Sequence, residues 1–171
     1  MRTRMKRLAL MGGATGCLMA MGPVAPANAA GNTQISGGAY YDDAAGTECG
    51  VAPAGFADYP ALVLHGDLEG CLFTDAVTSK DSPSGVYQET GREYIVASLN
   101  GGPVGTFTTN YRFEGKYDPD VFTGVEVKGR CQHPLVAGSG TGSFSGATGR
   151  LDFKDDVENA IFYYRGHIKL G

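Results

Sequence analysis

Apolar and polar residues alternate with period two along most of this chain, in short runs broken by glycine, proline and aspartate. Across 106–117 the odd positions carry Phe107, Tyr111, Phe113 and Tyr117, while the even ones carry Thr106, Thr108, Asn110, Arg112, Glu114 and Lys116. Val125 and Val127 alternate with Glu126 and Lys128, and Leu151 and Phe153 with Asp152 and Lys154. Near the C-terminus Phe162, Tyr164, Ile168 and Leu170 alternate with Arg165, His167 and Lys169. Side chains two apart share one face of a strand, so this pattern describes a sheet with one wet and one dry face. Helical spacing, with apolar residues at i, i+3, i+4 and i+7, is not sustained over three turns anywhere in the pattern.

The pattern predicts a strand at Thr33–Tyr41 and further strands at 61–66, 69–77, 85–90, 92–99, 104–117, 124–136, 149–157 and 160–170. Turn residues separate them: Asp81 to Gly85, Asn100-Gly101-Gly102-Pro103, Asp118-Pro119-Asp120 and Gly138 to Gly142. Antiparallel strands joined by short connections must hide their edges, and closure into a barrel removes them. A β-sandwich would need longer cross-over connections. The expected fold is therefore all-β, an eight-stranded antiparallel up-and-down barrel. Its domain would span 61–171, preceded by a strand and irregular segment over 30–60. A barrel of that size is filled by its own side chains or holds one small ligand.

Residues 1–29 read as a signal peptide. Arg2, Arg4, Lys6 and Arg7 precede an uncharged stretch from Leu8 to Gly22, and Ala27-Asn28-Ala29 gives the small-x-small pattern of a cleavage site. That stretch is too short and glycine-rich to span a bilayer. Its removal takes away four basic residues and no acidic one, leaving 10 Lys and Arg against 18 Asp and Glu, a formal charge of −8. Such a chain repels phosphate backbones and anionic lipid, so nucleic acid and membrane are not expected partners. Three cysteines remain after cleavage: Cys49, Cys71 and Cys131. Export would let two of them pair. Three pairings are open. Because Cys71 and Cys131 both lie in strand-like runs and Cys49 in a loop, Cys71–Cys131 is the preferred one.

Most catalytic templates are missing. The chain has no HExxH, no GxSxG and no phosphate loop, and its cysteines and histidines lack zinc spacing, so neither metal nor cofactor is expected. One segment has chemical content, Gly129 to Pro134. If Val125 and Val127 face inward, period two carries Cys131 and His133 inward with them. A histidine in an apolar lumen suits general acid or base work, so His133 is the catalytic candidate; the competing reading has it solvated at the barrel mouth. The expected ligand-lining residues are Phe107, Tyr111, Phe113, Phe162 and Tyr164, with His133 the titratable group nearest to them. A filled aromatic core is the alternative for the same residues.

The segment Gly138-Ser139-Gly140-Thr141-Gly142-Ser143-Phe144-Ser145-Gly146-Ala147-Thr148-Gly149, followed by Ile161-Phe162-Tyr163-Tyr164-Arg165-Gly166, resembles a signature of the allene oxide cyclase and dirigent barrel superfamily. The stretch from Gly129 to Pro134 resembles secreted actinobacterial relatives of that barrel. The resemblance covers roughly residues 105–170 and weakly includes Gly66 to Cys71. It implies a calycin-like eight-stranded barrel with an apolar cavity, a dimeric or trimeric assembly, and cofactor-free cyclisation or coupling by positioning the substrate. No catalytic residue carries over. Three functions follow as expectations: a secreted barrel binding a small apolar molecule; a cofactor-free isomerase or cyclase acting on an apolar, polyketide- or lipid-derived substrate; or an extracellular structural protein with a filled barrel. Export is checked by N-terminal sequencing of the protein from culture fluid, with a start near Ala30 or Gly31 expected and an intact Met1 chain in the cytoplasm the contrary result.

Overall fold

The computed structural model describes residues 31–42 and 48–171; residues 1–29, read from the sequence as a signal peptide, lie outside the described residues. Nine strands follow in order: β1 (Asn32–Tyr41), β2 (Leu62–Gly66), β3 (Leu68–Asp81), β4 (Val86–Leu99), β5 (Val104–Asp118), β6 (Val125–Pro134), β7 (Thr141–Gly142), β8 (Thr148–Asp156) and β9 (Ile161–Lys169). Sequential neighbours pair antiparallel from β1 through β6, β6 pairs with β8, and β8 with β9. Pairing of β1 with β9, from Asn32↔Lys169 to Ala39↔Phe162, closes the cylinder. The fold is thus a closed eight-stranded antiparallel barrel, and β7 is a short extra strand on β5.

Two features depart from the pattern read in the sequence. The runs 85–90 and 92–99 form one strand, β4, which passes through Gly91 without a turn. The strand expected ahead of the barrel, β1, is one of its staves and sits between β2 and β9.

The two ends of the barrel differ. At the end holding the β4–β5 connection, the interior is filled by Ile35, Leu68, Ile95, Ala97, Phe107, Leu151 and Ile168. Phe144, from the glycine-rich segment after β7, is fully buried there and packs against Phe107 at 4.7 Å between ring centroids. That segment therefore makes a plug of tight turns, held by bonds such as Phe144 N–H to Thr141 O and Ala147 N–H to Phe144 O. Tyr164 belongs to this half too. Its hydroxyl accepts from Leu68 N–H at 2.9 Å and lies over Gly37, where a Cβ would strike it.

At the other end β2 is short and leaves the edge of β3 opposite β4 unpaired by it beyond Leu72. The β1–β2 connection fills this gap. Ala57 bridges to Thr74, Asp58 N–H donates to Thr74 O, and the Asp58 carboxylate accepts from Ala76 N–H. A disulfide between Cys49 and Cys71 ties the same connection to β3.

This pairing replaces the expected Cys71–Cys131 bond. Leu68, Leu72 and Thr74 occupy the inward positions of β3, so Cys71 stands on the outward parity. Cys131 points into the barrel from β6, three strands further round, and is a free, buried thiol. A wall of backbone separates the two sulfurs. The Cys49–Cys71 bond closes a loop of sequence separation 22. Replacing both cysteines by serine is expected to cost about 3 kcal/mol of unfolding free energy in the chain-entropy model. Denaturant titration measures that loss, and a non-reduced peptide map should show Cys49 linked to Cys71 with Cys131 free.

Candidate functional site

The unfilled half of the barrel encloses a cavity of about 240 Å³. Tyr41, Tyr59, Tyr87, Tyr117 and Phe162 stand around its outer end, and Tyr111, Phe113, Cys131, His133 and Phe153 lie deeper. Of the aromatics expected to line one surface, Tyr111, Phe113 and Phe162 do so. Phe107 and Tyr164 instead belong to the filled half and bound no part of the cavity. The wall is also less apolar than expected, because it carries four carboxyl groups: Glu89, Glu93, Glu126 and Asp155.

Glu89 and Glu93 come from β4. Inward parity set by Ile95 and Ala97 runs back through Glu93, Gly91 and Glu89, all buried. Gly91 faces Tyr111 on β5, and the Tyr111 ring occupies the space a Cβ at 91 would need. That close approach lets the Tyr111 hydroxyl donate to Glu89 Oε1 at 2.6 Å. Tyr59 and Tyr87 both donate to Glu89 Oε2, each at 2.6 Å. Burial, reinforced by the bond to Glu89, raises the pKa of all three phenols, so they stay protonated donors. Tyr59 reaches this site because the disulfide-tied connection delivers it beside β3.

Glu93 makes the second cluster. Its Oε2 accepts from Thr109 Oγ1 at 2.7 Å and hydrogen-bonds His133 Nδ1. Both side chains of this Glu–His pair are about 5% exposed. An ionised carboxylate only accepts, so Nδ1 carries the proton toward it and leaves Nε2 as the second functional atom of the ring. That Nε2 is buried and has no hydrogen-bond partner among the described residues. The ring is held between Tyr111 and Phe153, at 6.1 and 4.7 Å between centroids.

His133 faces inward, but not for the reason expected from its strand. Val125 and Val127 are exposed, at 72% and 56%. The β5–β6 register shifts between Lys116 and Tyr117, so Val127 is a bulged residue and the parity of β6 reverses there. Glu126 is inward before the bulge, and Gly129, Cys131 and His133 are inward after it.

Glu126 and Asp155 form the third cluster, a hydrogen-bonded pair of carboxyl groups on β6 and β8. Both sit against Gly129, where a Cβ would collide with Asp155 Oδ2 and Glu126 Oε1. Burial, then the bond to Asp155, pushes the Glu126 pKa up to about 7, against a bond from Tyr117 that lowers it. The Asp155 pKa is raised by burial as well, with the bond from Glu126 and the nearby His133 acting the other way. One proton shared by two close carboxyls is the physical outcome, and Glu126 holds it. Burial raises the Cys131 thiol far above its usual range, so it stays a neutral part of the wall. Among the described residues no group of three or more His, Cys, Asp and Glu side chains is arranged to hold a metal ion.

His133 was legible in the sequence, whereas the four carboxyls were missed. Glu89 and Glu93 could have been found by carrying the parity of Ile95 and Ala97 back through Gly91. Asp155 continues the inward parity of Leu151 and Phe153. Glu126 was concealed by the bulge.

Comparison of the chain with models of known protein families, with curated proteins and with solved structures gave no match in any of the three.

The shared proton has a consequence for stability. Because the Glu126 pKa is raised in the folded state, the native protein binds more protons than the unfolded chain between about pH 4.5 and 7. Stability from this group is complete below that window and is lost as pH rises through it. The melting temperature should fall by a few degrees across the window, and Glu126→Gln, which mimics the protonated acid, should flatten the fall. Thermal melts of both proteins between pH 4 and 8 check this.

Proposed function

We propose that the protein is an exported acid–base enzyme of isomerase or cyclase type, acting on a small molecule held in the open half of the barrel. One observation carries this reading: His133 lines the cavity, is backed through Nδ1 by a buried carboxylate, and has a buried Nε2 without a hydrogen-bond partner among the described residues. Glu93 fixes the tautomer that leaves Nε2 a base, as an orienting carboxylate does for a catalytic histidine. The protonated Glu126 is the complementary acid near neutral pH. Nε2 removes a proton from one atom of the substrate, the electron pair shifts to form a new double bond or ring bond, and Glu126 returns a proton at another atom. The product has the composition of the substrate. Exchange with water at the rim restores both groups.

The closed barrel supports the positioning chemistry that the resemblance to allene oxide cyclase and dirigent barrels implies. The Cys49–Cys71 bond supports an oxidising compartment and hence export. A storage barrel without turnover is the second reading, favoured by the ring of tyrosines at the rim.

Native mass spectrometry of the protein from culture fluid identifies what the barrel retains, and the retained compound is then returned to it in deuterated water. Conversion to an isomer, or deuterium gained at carbon, is expected, with a rate at least about 100-fold lower in His133→Asn. Retention with neither conversion nor exchange leaves the storage reading in place.

A further inference from the structure

The barrel wall sorts charge. Four acidic side chains line the cavity, and among the described residues no lysine or arginine lines it. The cations of the same strands, Lys116, Lys128, Arg130 and Lys154, line a separate cleft on the outer face. Resting on the reading of the lumen as a ligand site, we propose that its ligand is a cation: an ammonium group on a compact, partly aromatic or apolar frame.

The charges inside are not cancelled from within. Three tyrosine hydroxyls give Glu89 hydrogen bonds but no positive charge. His133 can at most neutralise Glu93, to which its Nδ1 is committed. One proton serves Glu126 and Asp155 together, so one of these two stays an anion. Glu126 Oε1 is, moreover, buried beside Asp155 Oδ2 and takes no hydrogen bond from an N–H donor among the described residues. An N–H donor bearing positive charge satisfies that oxygen and offsets the remaining charge at once.

Other ligand classes fit less well. A carboxylate or phosphate would enter against like charge in a site of low dielectric. A purely apolar molecule would leave His133 Nε2 unpaired and the remaining carboxyl charge of the Glu126–Asp155 pair desolvated. The rings suit a cation too. Tyr87 and Tyr117 meet nearly edge to face at 6.5 Å, and Phe113 stands 6.2 Å from Tyr87, forming a corner of π faces beside the carboxyl pair.

The test uses three probes of one frame on the mature protein: phenethylammonium, 2-phenylethanol and 3-phenylpropanoate, titrated by calorimetry. The ammonium compound should bind at least about tenfold more tightly than the alcohol, with no binding of the carboxylate. The double variant Glu126→Gln with Asp155→Asn, which removes the pair's remaining charge, should weaken ammonium binding and leave the alcohol unchanged. Glu126→Gln alone, which keeps that charge, should bind the ammonium compound as the unaltered protein does, each variant being checked for native circular dichroism. Equal or tighter binding of the carboxylate overturns the proposal, as does binding of none of the three. Should either variant not fold, the order of the three probes on the unaltered protein decides. If ammonium compounds bind and nothing is turned over, the enzymatic reading falls and this inference stands. If a neutral or anionic compound is turned over with no preference for ammonium, the reverse holds.

Discussion

Closure of β1 against β9 is the constraint on which the rest depends. A closed sheet has no edge at which to expose a misplaced residue, so parity alone decides whether a side chain faces water or the shared interior. Once Ile95 and Ala97 are inside, Glu93 and Glu89 are inside too, whatever their hydration would favour. The barrel must then supply their partners, and it does so from opposite strands and from the loop: Tyr111 and Thr109 from β5, His133 from β6, Tyr59 from the β1–β2 connection. Burying carboxyl groups without such partners would cost several kcal/mol each, by the usual scale for unpaired buried charge.

Much of the fold was legible because alternation is a local signal. The aromatic parity of 107–117 and the turn residues at 100–103 and 118–120 place β5 and its connections without reference to any other strand. What could not be read locally was register between strands. The bulge at Val127 is fixed by the pairing of Tyr117 with Glu126, and it reverses parity within one run of the sequence. Extrapolation from Val125 therefore starts from the wrong face, and only the reversal brings Cys131 and His133 inside. The disulfide failed for a related reason. Two cysteines in strands look equivalent along the chain, but one faces out from β3 and the other faces in from β6. The loop cysteine was the only one able to reach the outer face of β3.

The candidate site was partly legible on the same grounds. Tyr111, Phe113 and Phe162 follow from alternation, whereas His133 is inside only because the bulge reverses the parity of β6. Phe107 and Tyr164 obey it equally well, yet they end in the filled half, because Phe144 and the Tyr164–Leu68 bond close that end. Alternation says which face a residue takes but not the depth at which the barrel is plugged. Glycine carries some of the missing information. Gly91 and Gly129 sit on inward positions, and each makes room for a neighbour's functional group, Tyr111 in one case and the Glu126–Asp155 pair in the other. An inward glycine amid aromatics marks where another strand's side chain must lie flat.

The two halves depend on each other energetically. Ile35, Leu68, Leu72, Ile95, Phe107, Leu151 and Ile168 bury a continuous apolar core at one end. Burial of that kind gives roughly 25 cal/mol for each Å² removed from water, independent of pH. The other end gathers carboxyl groups whose protonation states are in tension, and the raised pKa of the Glu126–Asp155 pair makes its stability pH-dependent. A barrel filled along its whole length would have no such liability and no cavity. Polar groups that satisfy one another completely would be inert. Here the satisfaction stops one step short: Glu89 is bonded through both oxygens, while His133 Nε2 has no partner among the described residues and Glu126 Oε1 has only the Asp155 carboxyl beside it. Those two atoms, held in place by their neighbours, are where the barrel leaves hydrogen-bonding capacity unused.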